Sequence, residues 1–217
     1  MFAHGYRGSA AGTMGNAALR DMASDLGVAL IAPKSGGEDW LIRNAPEKAF
    51  ADDLGELGYF DALLDDALAR FPIDAERILM SGFSAGGMVT WTLACHRGER
   101  FAAFLPIAGT FWAPIPEACA SELVSLVHIN GTADTIVPLE GRPIADAQQG
   151  NVRDAIALFA TAAEYRPTEG MRAPPDLICD SRATLVGTPL ALCLHDGGHE
   201  FRAPWVAHFY RTLVKAP

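Results

Sequence analysis

The sequence predicts an α/β fold in a single domain, residues 1–217, with a mostly parallel central sheet flanked by helices. Three observations lead there. Helical patterns alternate with short apolar runs along the whole chain, without internal repeats or low-complexity tracts. The apolar run Ile78 to Ser81 passes directly into Gly82-Phe83-Ser84-Ala85-Gly86-Gly87 and then into a helical segment. Two later apolar runs, Leu123 to Ile129 and Leu190 to Leu194, end in loops that carry Asp134 and His199. Half of the 217 residues are hydrophobic, enough for one α/β unit to bury a substantial core.

The elements follow from short apolar runs bounded by turn residues, which read as buried strands, and longer periodic segments, which read as helices. Met1-Phe2-Ala3 is a short strand leading into His4-Gly5. A helix from about Asn16 to Leu26 precedes a strand from Val28 to Ala32 and a loop with Ser35-Gly36-Gly37. A helix from about Gly55 to Arg70 leads to the strand Ile78 to Ser81, a helix from about Gly86 to Arg97, and the strands Ala102 to Ile107 and Leu123 to Ile129. Beyond Asp134 come a helix from about Val152 to Glu164, the Pro-rich stretch Arg166 to Pro175, a hairpin from Leu177 to Leu194 and a last helix from about Pro204 to Lys215.

The strand, Gly-x-Ser-x-Gly and helix in succession resemble the nucleophile elbow of the α/β-hydrolases, in which flanking glycines let the serine stand clear of the sheet. Ser84 is therefore the candidate nucleophile. A serine hydroxyl needs a base, an acid to orient the base, and donors for the oxyanion. Asp134, just past the carboxyl end of a buried strand, is the candidate acid. His199, in the turn Asp196-Gly197-Gly198-His199 before the closing helix, is the candidate base. The order Ser, Asp, His is the α/β-hydrolase order. Asp196 is the rival acid, but three residues before His199 in a glycine turn it is a poor partner. By position the amide of Ala85 supplies one oxyanion donor, and the His4-Gly5 loop offers the amide of Tyr6 as the second, with His4 bracing that loop.

Taken together, His4-Gly5-Tyr6, Asp53-Leu54-Gly55, Arg70-Phe71-Pro72-Ile73-Asp74, Gly82 to Gly87, Gly131-Thr132-Ala133-Asp134 with Val137-Pro138, and Gly197-Gly198-His199 resemble the polyhydroxybutyrate depolymerase and feruloyl esterase-like group of serine α/β-hydrolases, over nearly the whole chain. The resemblance implies hydrolysis of carboxylic esters, either small, hydroxycinnamoyl or polyester-oligomer esters. Arg7 stands where a second loop glycine is often found, and Phe201-Arg202-Ala203-Pro204 replaces the Trp-Pro-Gly that often follows the histidine; both departures bear on acyl specificity. Because a central strand usually has about five residues, the three before His4 lead to the expectation that the fold lacks its first amino-terminal strands here. A longer natural product, with earlier strands and a secretion signal, would be secreted or periplasmic. With Met1 as the true start the protein would be cytoplasmic.

A formal charge of −9 argues against nucleic acid as a partner, since neutralising phosphates takes clustered Lys and Arg. Apolar runs stop short of the roughly 20 residues that span a bilayer. No cofactor is expected. No metal site is expected either, for Cys95, Cys119, Cys179 and Cys193 lack Cys-x-x-Cys spacing and the histidines lack His-Glu-x-x-His spacing. The cysteines either pair as Cys95–Cys119 and Cys179–Cys193, suiting an exported enzyme, or remain four reduced thiols. Trp40, Phe83, Phe111 and Trp112 lie in loops facing the expected site and are candidates for an apolar acyl or aryl pocket. His96, His128, His195 and His208 read as structural. A serine peptidase of the same fold and a non-catalytic binding protein on a hydrolase scaffold are the alternative functions.

Overall fold

The computed structural model describes residues 1–48, 54–121 and 123–214. Asp53 and Lys215, which belong to the sequence patterns above, lie outside the described residues. The main sheet has seven strands in the order β1 (Phe2–Ala3), β2 (Leu79–Phe83), β3 (Ala103–Ile107), β5 (Leu126–Gly131), β10 (Pro189–His195), β9 (Ile178–Ala183) and β8 (Arg166–Pro167). The first five of these run parallel, and β9 and β8 turn antiparallel at the edge. A second, antiparallel sheet of three very short strands joins β4 (Trp112–Ala113), β7 (Ala147–Gln149) and β6 (Pro143–Ile144). The helices are α1 (Ala10–Gly15), α2 (Ala17–Leu26), α3 (Leu54–Arg70), α4 (Ala85–His96), α5 (Val152–Ala162) and α6 (Ala203–Phe209), the last continuing as a π-helical turn over Tyr210–Val214.

Both faces of the sheet are covered, which is why its central strands are continuous apolar runs rather than alternating ones. Along β3, Ala103, Leu105 and Ile107 enter the layer that holds Leu19, Trp205 and Phe209, while Phe104 enters the opposite layer with Phe60, Trp91 and Phe159. Helix α4 is buried from Ala85 through Cys95, as an all-round apolar helix must be. It carries Ser84 at its amino end. Disulfides join Cys95 at the end of α4 to Cys119, and Cys179 to Cys193, which stand directly opposite across β9 and β10.

Three expectations need correction. The segment Val28 to Ala32 is not a strand. It runs beside β1, with Phe2 N–H donating to Ile31 O at 2.9 Å, but β1 offers only two residues on which to build a ladder. Helix α1 is additional; Ser9 caps it by accepting from the Gly12 amide, and Asn16 then caps α2 by accepting from Leu19. The small sheet is also additional, and it forms one wall above the carboxyl ends of the main strands.

The elbow depends on missing side chains. A Cβ on Gly86 would stand 2.1 Å from the carbonyl oxygen of Ala3, and one on Gly82 would stand 2.2 Å from that of Gly86. Backbone cannot yield as a flexible side chain can, so Gly86→Ala is expected to cost about 3 kcal/mol or more. Chemical denaturation of the variant checks this; a midpoint equal to that of the parent would mean that β1 and α4 separate easily.

Candidate active site

Ser84 sits between β2 and α4 at φ 57° and ψ −121°, a conformation that residues with a side chain rarely adopt. Its amide donates to Ile107 O at 2.9 Å and its carbonyl accepts from Met88, so neighbouring structure holds the turn in place. The side chain takes no part in capping α4.

Asp134 lies in the turn after β5, and its buried side chain accepts three hydrogen bonds. Oδ1 accepts from the amides of Ile136 (2.8 Å) and Val137 (2.9 Å), and Oδ2 accepts from Nδ1 of His199 at 2.7 Å. Burial works to raise its pKa, but the bond from His199 and the two amides outweigh it and hold the carboxyl below the usual range. His199 stands after β10 and remains partly open, with its side chain 16% exposed. Phe83, next to Ser84 in the chain, packs on the imidazole with ring centroids 4.6 Å apart, and Phe201 packs on Phe83 at 5.4 Å. Three separate strand ends thus bring Ser84, His199 and Asp134 to one edge of the sheet. Asp196 is exposed.

Behind Asp134, His128 on β5 is fully buried, its Nε2 donating to Asn130 Oδ1 at 3.3 Å, while Asn130 Nδ2 donates to Val137 O in the Asp134 turn. Burial pushes the His128 pKa from 6.5 down to about 4, against smaller opposing pulls from Asn130 and Asp134. The unfolded chain therefore takes up this proton first, so stability falls as pH drops from about 6.5 to about 4, by about 3 kcal/mol. His195, lowered chiefly by burial, acts in the same direction. Melting temperature recorded across that window is expected to decline steeply for the parent and less steeply for His128→Gln; equal slopes would assign the loss to other groups.

On the other side of Ser84 runs the loop from His4 to Gly8. It presses close, for a Cβ on Gly5 would stand 3.3 Å from that of Ser84. Arg7 takes φ 56°, a backbone state that glycine adopts more readily than a residue with a side chain. It is held by its amide bond to Glu38 O (2.7 Å) and a side-chain bond to Glu38 Oε2 (3.0 Å). The Ala85 amide is the first of α4, where no intrahelical acceptor is available.

A cleft opens over Ser84 and Ala85, walled by Tyr6, Tyr59, Met88, Trp112, Ile136 and Gln149. Of the four aromatic residues expected in the pocket, Trp112 lines this cleft. Trp40 does not: it is wholly buried against His4 and Phe60. Phe111 packs on Trp91 in the core, and Phe83 covers His199 instead. Tyr59, Ile136, Arg142 and Gln149 line the cleft unforeseen. Only Ile136 carried a signal, its place two residues past Asp134. Among the described residues no group of three or more His, Cys, Asp or Glu is arranged to hold a metal, and no helix is long and apolar enough to cross a membrane.

No family model matches the chain. It is 26% identical over 231 residues to NocK of Nocardia uniformis subsp. tsuyamanensis, an esterase by name, covering 97% of this chain and 67% of NocK. It is 28% identical over 113 residues to feruloyl esterase C of Emericella nidulans, covering 51% of this chain and 37% of that protein. The crystal structure of esterase PE8 superposes with a TM-score of 0.63 at 17% identity, covering 98% of this chain and 90% of that one. This chain has the α/β-hydrolase fold. The likeness to PE8 carries that fold, and the sequence similarity is to proteins named as esterases. The hydrolase spans about a third of feruloyl esterase C and about two thirds of NocK.

Proposed function

We propose that this hydrolase cleaves carboxylic esters through an acyl-enzyme on Ser84. The observation that carries the reading is the 2.7 Å bond from His199 Nδ1 to a buried Asp134, at the same end of the parallel sheet as a serine held in elbow geometry. With Nδ1 donating to the carboxylate, Nε2 is the ring nitrogen left to accept a proton. His199 takes the proton of Ser84 as Oγ attacks the ester carbonyl, and the amides of Tyr6 and Ala85 hold the oxyanion that forms. Collapse expels the alcohol, protonated by His199. Water, activated by the same imidazole, then attacks the acyl-enzyme and frees the acid and Ser84. Asp134 keeps the imidazole in the working tautomer and stabilises its protonated form.

For the substrate, the apolar surfaces of Tyr6, Met88, Trp112 and Ile136 suit an aliphatic or aryl group next to Ser84. The name of feruloyl esterase C agrees with an aryl acyl group such as hydroxycinnamoyl; small esters and polyester oligomers belong to the same class.

The test is turnover of p-nitrophenyl acetate, butyrate and octanoate beside methyl ferulate and a matching p-nitroanilide, with the labelled peptide mapped after fluorophosphonate treatment. Ester turnover with the label on Ser84 supports the reading. Anilide turnover matching ester turnover would favour a peptidase. A folded protein that neither turns over nor labels would favour a binding role.

A further inference from the structure

Beneath the oxyanion loop lies a buried clamp that the acid–base machinery does not use. The Gly5–Tyr6 peptide is planar and trans, so its carbonyl and its N–H point in opposite directions, and whatever holds the carbonyl aims the amide. Gly5 O accepts from the Gly8 amide and from Nδ1 of His4, each at 2.9 Å. The preceding peptide is held from below: Trp40 Nε1 donates to His4 O at 2.8 Å, in a fully buried bond. The Trp40 ring also lies against the His4 imidazole with centroids 4.6 Å apart, and it rests in turn on Phe60 at 5.7 Å.

The segment that carries Trp40 is itself tied down. Trp40 N–H donates to Asp39 Oδ1 and Lys48 Nζ donates to Trp40 O, both at 2.8 Å. Two residues earlier, Glu38 O accepts the amide of Arg7, so the loop is gripped on either side of Tyr6. One buried indole thus fixes both the His4 carbonyl and the face of the His4 ring, while that ring bonds the carbonyl opposite the Tyr6 amide.

We infer that Trp40 is a positioning residue that aims the Tyr6 amide at the developing oxyanion. The inference rests on the esterase reading above. An oxyanion donor matters mainly in the transition state, and an offset of about 1 Å at a reacting group is worth about a hundredfold in rate. Loss of the indole N–H leaves the ester's ground-state contacts in the cleft in place.

The experiment compares the parent with Trp40→Phe, which keeps an aromatic ring and removes the donor. A second variant carries benzothienylalanine at position 40, which replaces the N–H with sulfur at nearly the same shape and serves if Trp40→Phe does not fold. On p-nitrophenyl butyrate, kcat is expected to fall about tenfold to a hundredfold with KM within about twofold of the parent. Affinity for a trifluoromethyl ketone, which mimics the oxyanion, is expected to fall by the same factor. A rise in KM at unchanged kcat, unaltered kinetics, or a loss of kcat that leaves ketone affinity untouched would each overturn the role of Trp40 while the esterase reading stands. A folded parent that shows neither Ser84-dependent turnover nor ketone binding would overturn that reading, and this inference with it.

Discussion

Replacing Ser84 with glycine is expected to abolish ester turnover and, at the same time, to raise the melting temperature. The chemical loss is at least about 10⁴-fold, because removing a triad nucleophile leaves only the residual catalysis of oxyanion donors and binding. The gain in stability comes from the backbone. Ser84 stands at φ 57° and ψ −121°, which a side-chain-bearing residue occupies at a cost of about 1–3 kcal/mol and glycine occupies freely. Glycine loses part of this through its larger unfolded-state entropy, leaving about 1 kcal/mol, or about 2–4 °C in a protein of this size. Ser84→Ala separates the two effects, since it loses the hydroxyl and keeps the strained turn. Turnover retained by the glycine variant would remove Ser84 from the mechanism, and a glycine variant melting no higher than the alanine variant would show that the turn stores no strain.

Asp134→Asn is expected to lower kcat by about 10⁴-fold, whereas Asp196→Asn stays near the parent value. The hydrogen bonds around Asp134 dictate the size of the effect. Ile136 and Val137 point amide donors at Oδ1, so the carbonyl of an asparagine would settle there and its NH₂ would turn to His199. A donor facing Nδ1 forces the ring proton onto Nε2, the nitrogen that has to receive the proton of Ser84. Asp196 is exposed on the same glycine turn and has no comparable hold on the imidazole. Steady-state kinetics of both variants on one ester decides the matter, and a larger loss in Asp196→Asn would reverse the assignment of the acid.

What was legible in the sequence and what was not follow from how local each signal is. The elbow is written in five consecutive residues, because the crossing of β1, β2 and α4 forbids Cβ atoms at Gly82 and Gly86 whatever the rest of the chain does. Asp134 and His199 stand out because each follows an apolar run that ends in a turn, and strand ends gather at one edge of a parallel sheet. Aromatic residues carry no such address. Trp40, Phe83 and Phe111 read as loop residues at equal right with Trp112, yet those three are held by partners distant in sequence: Phe60, His199 and Trp91. The small sheet was invisible for a related reason. Two or three residues are too few to show alternation, and β4 pairs with β7 across more than thirty residues of sequence. The strand Val28 to Ala32 failed in the reverse sense, having strand-like residues but a neighbour too short to pair with them.

That small sheet gives the two walls of the cleft unequal durability. Ser84, Asp134 and His199 hang from β2, β5 and β10, whose pairing runs through the middle of the seven-stranded sheet. Trp112 and Gln149 hang from strands of two and three residues, paired, among the described residues, with each other and with β6. Segments with so few ladder bonds open locally at far lower free energy than a central sheet does. On the proposed function, discrimination among acyl groups and the cleavage step therefore belong to parts of the molecule that loosen at different thresholds. Rising urea would first make the enzyme less choosy and only later make it slow.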